Sequence, residues 1–251
     1  GVKQVEYLGF IVDKHGKHID PNRTRALREF PKPGSIKAVR RLLGTLNYLR
    51  EFIPFYTEVV APISDLVKSK NKFIWSHDQE RALENVCDII EKNQTLFHYD
   101  PRLELILRTD ASSIGIGGLL VQVDHGKEFP LAFYSKKLTE QERRWSTLEQ
   151  EAFGVVWCLR KARQFVSGRS FTIETDHRNL TFVLKNTSPK VMRWHLELAE
   201  YQFEIRHIAG KQNVVADTLS RGTEEPKQSI IAARAEIQKT LDPDEVFKTD
   251  L

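Results

Sequence analysis

Cysteine is scarce. Cys87 and Cys158 are the only two in 251 residues. That is too few for a disulfide framework, and each falls within a helical apolar pattern, so both read as buried reduced thiols suited to a reducing compartment. No apolar run approaches membrane-spanning length, and no charged segment followed by an apolar one marks a leader. Secretion and membrane insertion are therefore not expected. Nor does one sign of charge dominate. The formal net charge is +4, a surplus that favours a polyanionic partner only weakly, so the placement of the charges matters more than their sum. What is present is the composition of a globular protein, long enough for one large or two ordinary domains.

The first half opens on VEYLGFIV, residues 5–12, a strand-like run. DKHGKHID follows, with Gly16 where a hairpin turn needs it and a return strand near His18 and Ile19. A chain that starts on a strand is expected to be a piece of a longer polypeptide. PNRTRALREF is a short amphipathic helix from Pro21, and after PKPGS a helix capped by Ser35 is expected from residue 36 to about 52. On it Val39, Leu42, Leu43, Leu46 and Leu49 form a stripe that leaves Lys37, Arg40, Arg41 and Arg50 outside. With Arg23, Arg25 and Arg28 they make the densest basic region of the chain. A charge run is usually a solvated face. The functional alternative is phosphate contact, with Asn47 and Tyr48 suited to the sugar–phosphate backbone. A further helix is expected at about 57–68. Ser76 with Gln79 forms a capping box for another, whose stripe is Ala82, Leu83, Val86, Ile89 and Ile90. Residues 96–101 read as a linker.

The second half changes character. Leu103, Leu105 and Leu107 alternate with Glu104, Ile106 and Arg108, the period of a strand against a core, and Asp110 falls at its C-terminal edge. Gly115, Gly117 and Gly118, interleaved with Ile114, Ile116 and Leu119, suit a second strand that lets a backbone or ligand come close. Strands near 103–109, 114–123 and 129–135 form an expected antiparallel meander. A long helix follows, capped by Ser146 and Glu149. Ala152, Val155, Val156, Leu159, Ala162 and Phe165 lie on one face, and Gly168 stops it. SFTIET is a strand ending at Asp176. HRNLTFVLK and VMRWHLELAEYQ are amphipathic helices, FEIRHI a last strand and VVADTLSR a final helix, beyond which a polar tail is expected.

In isolation Asp110 reads as an acid capping the turn before Ser112 and Ser113. Partners alter that. Asp110, Glu151 and Asp176 each lie near the end of a strand or helix, and Asp217 lies in the first turn of the last helix. Phosphodiester hydrolysis without a protein nucleophile needs two divalent cations about 4 Å apart. Magnesium prefers carboxylate and water ligands, so three or four converging acids are the expected donor set.

The blocks LRTDASSIGIGGLLVQ, YSKKL, LEQEAFGVVWCL, TIETDHRNL and HIAGKQNVVADTLSR, in that order, resemble the ribonuclease H domain of reverse transcriptase from gypsy-type long-terminal-repeat retrotransposons. Upstream, YLGFIV, IDPNR, VRRLLGTLNYLREFI and FIWSHDQERAL resemble the end of the polymerase and its thumb. The resemblance implies an α/β fold: a ribonuclease H-like mixed five-stranded sheet flanked by helices, preceded by a mainly helical thumb-like domain. The division it implies is 1–98 for the end of the polymerase and thumb, 99–222 for ribonuclease H, and 223–251 for a linker or tail.

Carried over residue by residue, the resemblance makes Asp110, Glu151, Asp176 and Asp217 the metal-binding acids. Glu151 is preferred to Glu149 because EAFGVV matches the pattern after the family's acid. His207, ten residues before Asp217, takes the place of the catalytic-loop histidine, a group able to shuttle a proton near neutrality. Ser112 and Asn213 become substrate contacts, and His177 a helix-start residue. Two Mg2+ ions are implied, with Mn2+ as the alternative.

The palm's adjacent aspartates after a Tyr-x motif are missing, so polymerisation is not expected from this chain alone. The implied activity is cleavage of the RNA strand of an RNA–DNA hybrid. The implied partners are that hybrid and a polymerase-bearing subunit or a second copy, without a membrane, in the cytoplasm, a virus-like particle or the nucleus. Two other readings stand beside it. One is a non-catalytic nucleic-acid-binding subunit or domesticated retroelement fragment. The other is a transposase or integrase, whose third acid would be a helical Glu where this chain has Asp217.

Overall fold

The computed structural model describes residues 3–53, 56–68, 73–91, 95–112, 115–176 and 188–208. Contacts divide the chain into two compact units, residues 1–98 and 99–251.

In the first unit β1 (Gln4–Tyr7), β2 (Phe10–Asp13), β3 (Gly16–Ile19) and β4 (Leu96–Phe97) form an antiparallel sheet in that order. The run at 5–12 is thus not one strand. Leu8 and Gly9, at φ 49° and 75°, make a two-residue turn inside it, hidden from pattern reading because Leu is apolar and rarely takes positive φ. The turn at Gly16 is closed by Asp13, whose Oδ1 accepts from the His15 and Gly16 amides at 2.8 and 3.0 Å. Gly16 serves a different purpose from the expected one. A Cβ there would lie 2.2 Å from the Leu96 carbonyl oxygen, so the glycine admits β4. The segment expected as a linker from residue 96 accordingly begins with a strand.

Helix α1 (Pro21–Arg28) is capped by Asp20, and α2 (Ile36–Tyr48) by Ser35, which accepts from the Ala38 amide at 3.3 Å. Val39, Leu42 and Leu46 bury the stripe. The helix ends earlier than expected, and a 3₁₀ turn at Arg50–Phe52 completes the segment. The single helix expected at 57–68 is two, α3 (Tyr56–Val59) and α4 (Ala61–Leu66). Pro62 sits in the first turn of α4, where its missing N–H costs nothing but could not continue an earlier helix. Helix α5 (His77–Glu91) follows, with the Ser76 amide donating to Gln79 Oε1 at 2.9 Å. Cys87 lies on its buried face, and burial pushes its thiol up to about 11.

The second unit is built on β5 (Glu104–Ala111), β6 (Gly115–Asp124), β7 (Lys127–Lys137), β8 (Ser170–Thr175) and β9 (Gln202–His207), in the order β7-β6-β5-β8-β9. The meander β5-β6-β7 is antiparallel, while β8 runs parallel to β5, and β9 parallel to β8. Parallel neighbours need crossover connections. A short α6 (Glu140–Arg143) and α7 (Thr147–Val166) lie in the chain between β7 and β8, and α8 (Pro189–Leu198) between β8 and β9. This is a mixed five-stranded, helix-flanked sheet, the architecture the resemblance implied.

Leu105, Ile106 and Leu107 are all buried, so β5 is covered on both faces, and the one-sided pattern read from its alternation is corrected. A Cβ on Gly118 would lie 2.6 Å from Cys158 Sγ. That glycine makes room for α7 rather than for a ligand. Among the described residues no helix is long and apolar enough to cross a membrane. The helices expected from HRNLTFVLK and VVADTLSR, together with the tail, lie outside the described residues.

Candidate active site

The parallel pairing of β5 and β8 positions the first two acids. Ile106, Leu107 and Arg108 lie opposite Thr172, Ile173 and Glu174. Continuing that register by two residues places Asp110 beside Asp176 at the C-terminal ends of neighbouring strands, which are spaced about 4.8 Å apart in a sheet. The register is braced just before the acids. Arg108 Nε donates to Glu174 Oε2 at 2.8 Å, and Arg206 Nη1 to Glu174 Oε1 at 3.2 Å, so β5, β8 and β9 are tied through one buried carboxylate.

Helix α7 brings the third acid. Its start is set by a capping box in which Ser146 Oγ accepts from the Glu149 amide and Glu149 Oε2 accepts from the Ser146 amide. Gly154 faces the end of the sheet, where a Cβ would meet Ala111 Cβ at 3.6 Å and Ile116 at 3.7 Å, ordinary packing distances. Glu151 lies three residues earlier, on the same side of the helix. One carboxylate oxygen from each of Asp110, Glu151 and Asp176 falls within 4.8 Å of the others. Asp110 is 4% exposed and Glu151 5%.

Three hard oxygen donors this close repel one another when ionised, and they form the ligand set that a divalent cation of the magnesium or manganese class takes. The residues present therefore fit such an ion. Glu149 does not join them. Its carboxylate is committed to the Ser146 cap and to Lys190 Nζ at 2.8 Å.

Residues 100–201 match the family described as the RNase H-like domain found in reverse transcriptase. The second unit carries an RNase H-like domain of reverse transcriptase. Relatives include the Pol polyprotein of transposon 297 from Drosophila melanogaster, 35% identical over 228 residues, covering 87% of this chain and 21% of that polyprotein. The gypsy Pol polyprotein of the same organism is 35% identical over 234 residues, covering 87% and 22%. The Tf2-3 polyprotein of Schizosaccharomyces pombe is 31% identical over 237 residues, covering 90% and 18%. The chain thus spans about a fifth of the length of these relatives. Among solved structures, a foamy viral protease–reverse transcriptase in complex with an RNA/DNA hybrid shares the fold at 20% identity and a TM-score of 0.70, over 82% of this chain and 29% of that one.

The other expected site residues fall elsewhere. His207 pairs in register with Thr175, and its Nε2 lies 2.9 Å from the Asp176 carbonyl oxygen. A carbonyl only accepts, so Nε2 carries the proton there. Ser112 of the RNase H-like domain closes its own turn, its amide donating to the Gly115 carbonyl at 2.9 Å and its Oγ accepting from the Gly115 amide at 3.1 Å. Asn213, Asp217 and His177 lie outside the described residues. In the first unit Lys37, Arg40, Arg41, Asn47 and Tyr48 are exposed. Asn47 Oδ1 accepts from Arg50, and Tyr48 donates to the Leu8 carbonyl and stacks on Phe10 at 5.1 Å. Arg28, counted in the basic region, is engaged by Asp88 and Glu91 of α5. Sequence reasoning missed Lys190, since nothing in the period of a helix flags a lysine in its first turn.

Proposed function

We propose that this chain is the ribonuclease H part of a retrotransposon reverse transcriptase and hydrolyses the RNA strand of an RNA–DNA hybrid. Residues 1–98 would be the end of the polymerase and its thumb. The observation that carries the reading is the convergence of Asp110, Glu151 and Asp176 within 4.8 Å. They would hold two Mg2+ ions, with Asp217 as the fourth ligand and Mn2+ as a substitute. The chemistry such cations supply when bound is activation of a water and stabilisation of the leaving oxygen. Asp110 and Asp176 orient the site from two rigid strand ends, and Glu151 closes it from the helix. His207 holds the Asp176 backbone through its carbonyl and supports proton transfer near the scissile phosphate. The exposed Lys37, Arg40 and Arg41 would bind phosphates of the duplex. The polymerase activity would come from another part of the same polyprotein or from a partner subunit.

The test is a labelled RNA strand presented alone, annealed to RNA, or annealed to DNA. Cleavage confined to the hybrid is expected. It should stop when a chelator removes divalent ions and return when Mg2+ is restored. Binding of the hybrid without cleavage in either metal would refute the nuclease and leave a nucleic-acid-binding fragment.

A further inference from the structure

Three side chains flank Glu151 on α7, and each is tied to a different part of the RNase H-like domain. Gln150 Nε2 donates to the Glu142 and Arg143 carbonyls at 3.1 and 3.2 Å, holding the first turns against α6. Phe153 meets Trp145 edge-on at 5.1 Å and Trp194 at 5.6 Å, with Lys136 Nζ 5.3 Å from its ring centre. Glu149 carries the third tie, its Oε1 lying 2.8 Å from Lys190 Nζ.

Lys190 stands in the first turn of α8, which Ser188 caps and Pro189 opens. Its ammonium lies 4.1 Å from the centre of the Trp145 ring and 5.6 Å from that of Trp194. One cation thus joins a carboxylate on α7, an indole just before α7 and an indole on its own helix. The Lys190 and Glu149 side chains are 28% and 21% exposed, so the contact is less screened than a pair on the open surface.

The first turns of a helix are where it frays, and Glu151 must stay close to two like-charged groups that push it away. From this geometry we infer that Lys190 is a positioning residue. By clamping Glu149 and Trp145 from α8, it keeps the Glu151 carboxylate at the spacing from Asp110 and Asp176 that a divalent cation requires. The inference rests on the nuclease reading above. Removing an outer partner that orients a ligand typically weakens metal affinity by about tenfold to a hundredfold.

The test compares Lys190→Met, Lys190→Arg, Glu149→Gln and Glu151→Gln in the full chain. It reads the Mn2+ dissociation constant by calorimetry, amide exchange over residues 147–153 without metal, and kcat and KM on the labelled hybrid. Lys190→Met should raise the Mn2+ dissociation constant about tenfold and speed exchange over those residues. It should lower kcat at limiting metal, with recovery at high metal and an unaltered KM. Lys190→Arg should restore most of the loss. Glu149→Gln keeps a residue type that serves in a capping box yet removes the charge facing Lys190, so it should act like Lys190→Met and decides the matter if that variant does not fold. Metal affinity and exchange unchanged in both, or a raised KM with metal affinity intact, would overturn the clamp. Glu151→Gln separates the two levels. If it binds metal and cleaves as the unaltered chain does, Glu151 is not a metal ligand and the site assigned above is wrong; if the unaltered chain itself cleaves the hybrid in neither metal, the nuclease reading is wrong. If it is inactive while Lys190→Met behaves as the unaltered chain, only the clamp is wrong.

Discussion

Asp110 and Glu151 are almost fully withdrawn from solvent, a position in which ionised acids persist only when paired, hydrogen-bonded or ligating. Asp110→Asn keeps the shape and removes one charge from the cluster. Hybrid cleavage should fall by at least about two orders of magnitude, while the thermal midpoint of the metal-free protein should stay level or rise because repulsion is relieved. Cleavage at the unaltered rate would sink the assignment.

In the first unit, Asp13 is held by local partners. Partial burial pushes its carboxyl up, but the His15 and Gly16 amides and the neighbouring His18 outweigh it and bring it to about 2. A pKa depressed below the ordinary 3.8 means that the stability it contributes is full above about pH 4 and is lost as pH falls through about 2. Asp13→Ala should cost about 1–2 kcal/mol at neutral pH and little at pH 2, as read by urea unfolding at both. At this scale the sequence showed which residue types could ligate. It showed the Ser146 cap of Glu149 but not that carboxylate's ion pair with Lys190, which is distant along the chain.

Helix α7 is the element on which the site depends. Its cap was legible, since Ser146 and Glu149 are local signals, and so were its apolar stripe and the strand ending at Asp176. Gly154 sits inside it, packed at ordinary contact distance from Ala111 and Ile116. Gly154→Ala therefore has room and should stabilise by up to about 1 kcal/mol, with activity retained. Gly154→Leu should push α7 off the sheet end and lower both the unfolding midpoint and cleavage. A destabilised Gly154→Ala variant would show that the contact is tighter than the geometry indicates. Two of the features missed in the sequence share one cause. The turn at Leu8 and Gly9 and the strand at Leu96 exist because of partners across a sheet, which periodicity within a short window does not register.

For the whole molecule, a surplus of +4 is too small to bind a polyanion by itself, so any affinity must come from local clusters. The exposed Arg40 and Arg41 of α2 are the sharpest case. Replacing both with Ala should weaken hybrid binding and lower the slope of log affinity against log salt by about 1–2, measured by fluorescence anisotropy across a salt series. An unaltered slope would make them ordinary surface charges.

Local chemistry was enough to name the caps and the alternation of strands with helices, because those signals act within a few residues of one another, while the resemblance singled out the acids. Pairing β8 parallel to β5, which sets Asp110 beside Asp176, needed the folded chain. The resemblance preferred Glu151 to Glu149, and the folded chain supplied the physical reason, with Glu151 grouped beside the two aspartates and Glu149 paired to Lys190. Such contacts join residues remote in sequence, and their energy comes from shared burial and charge that no short stretch contains.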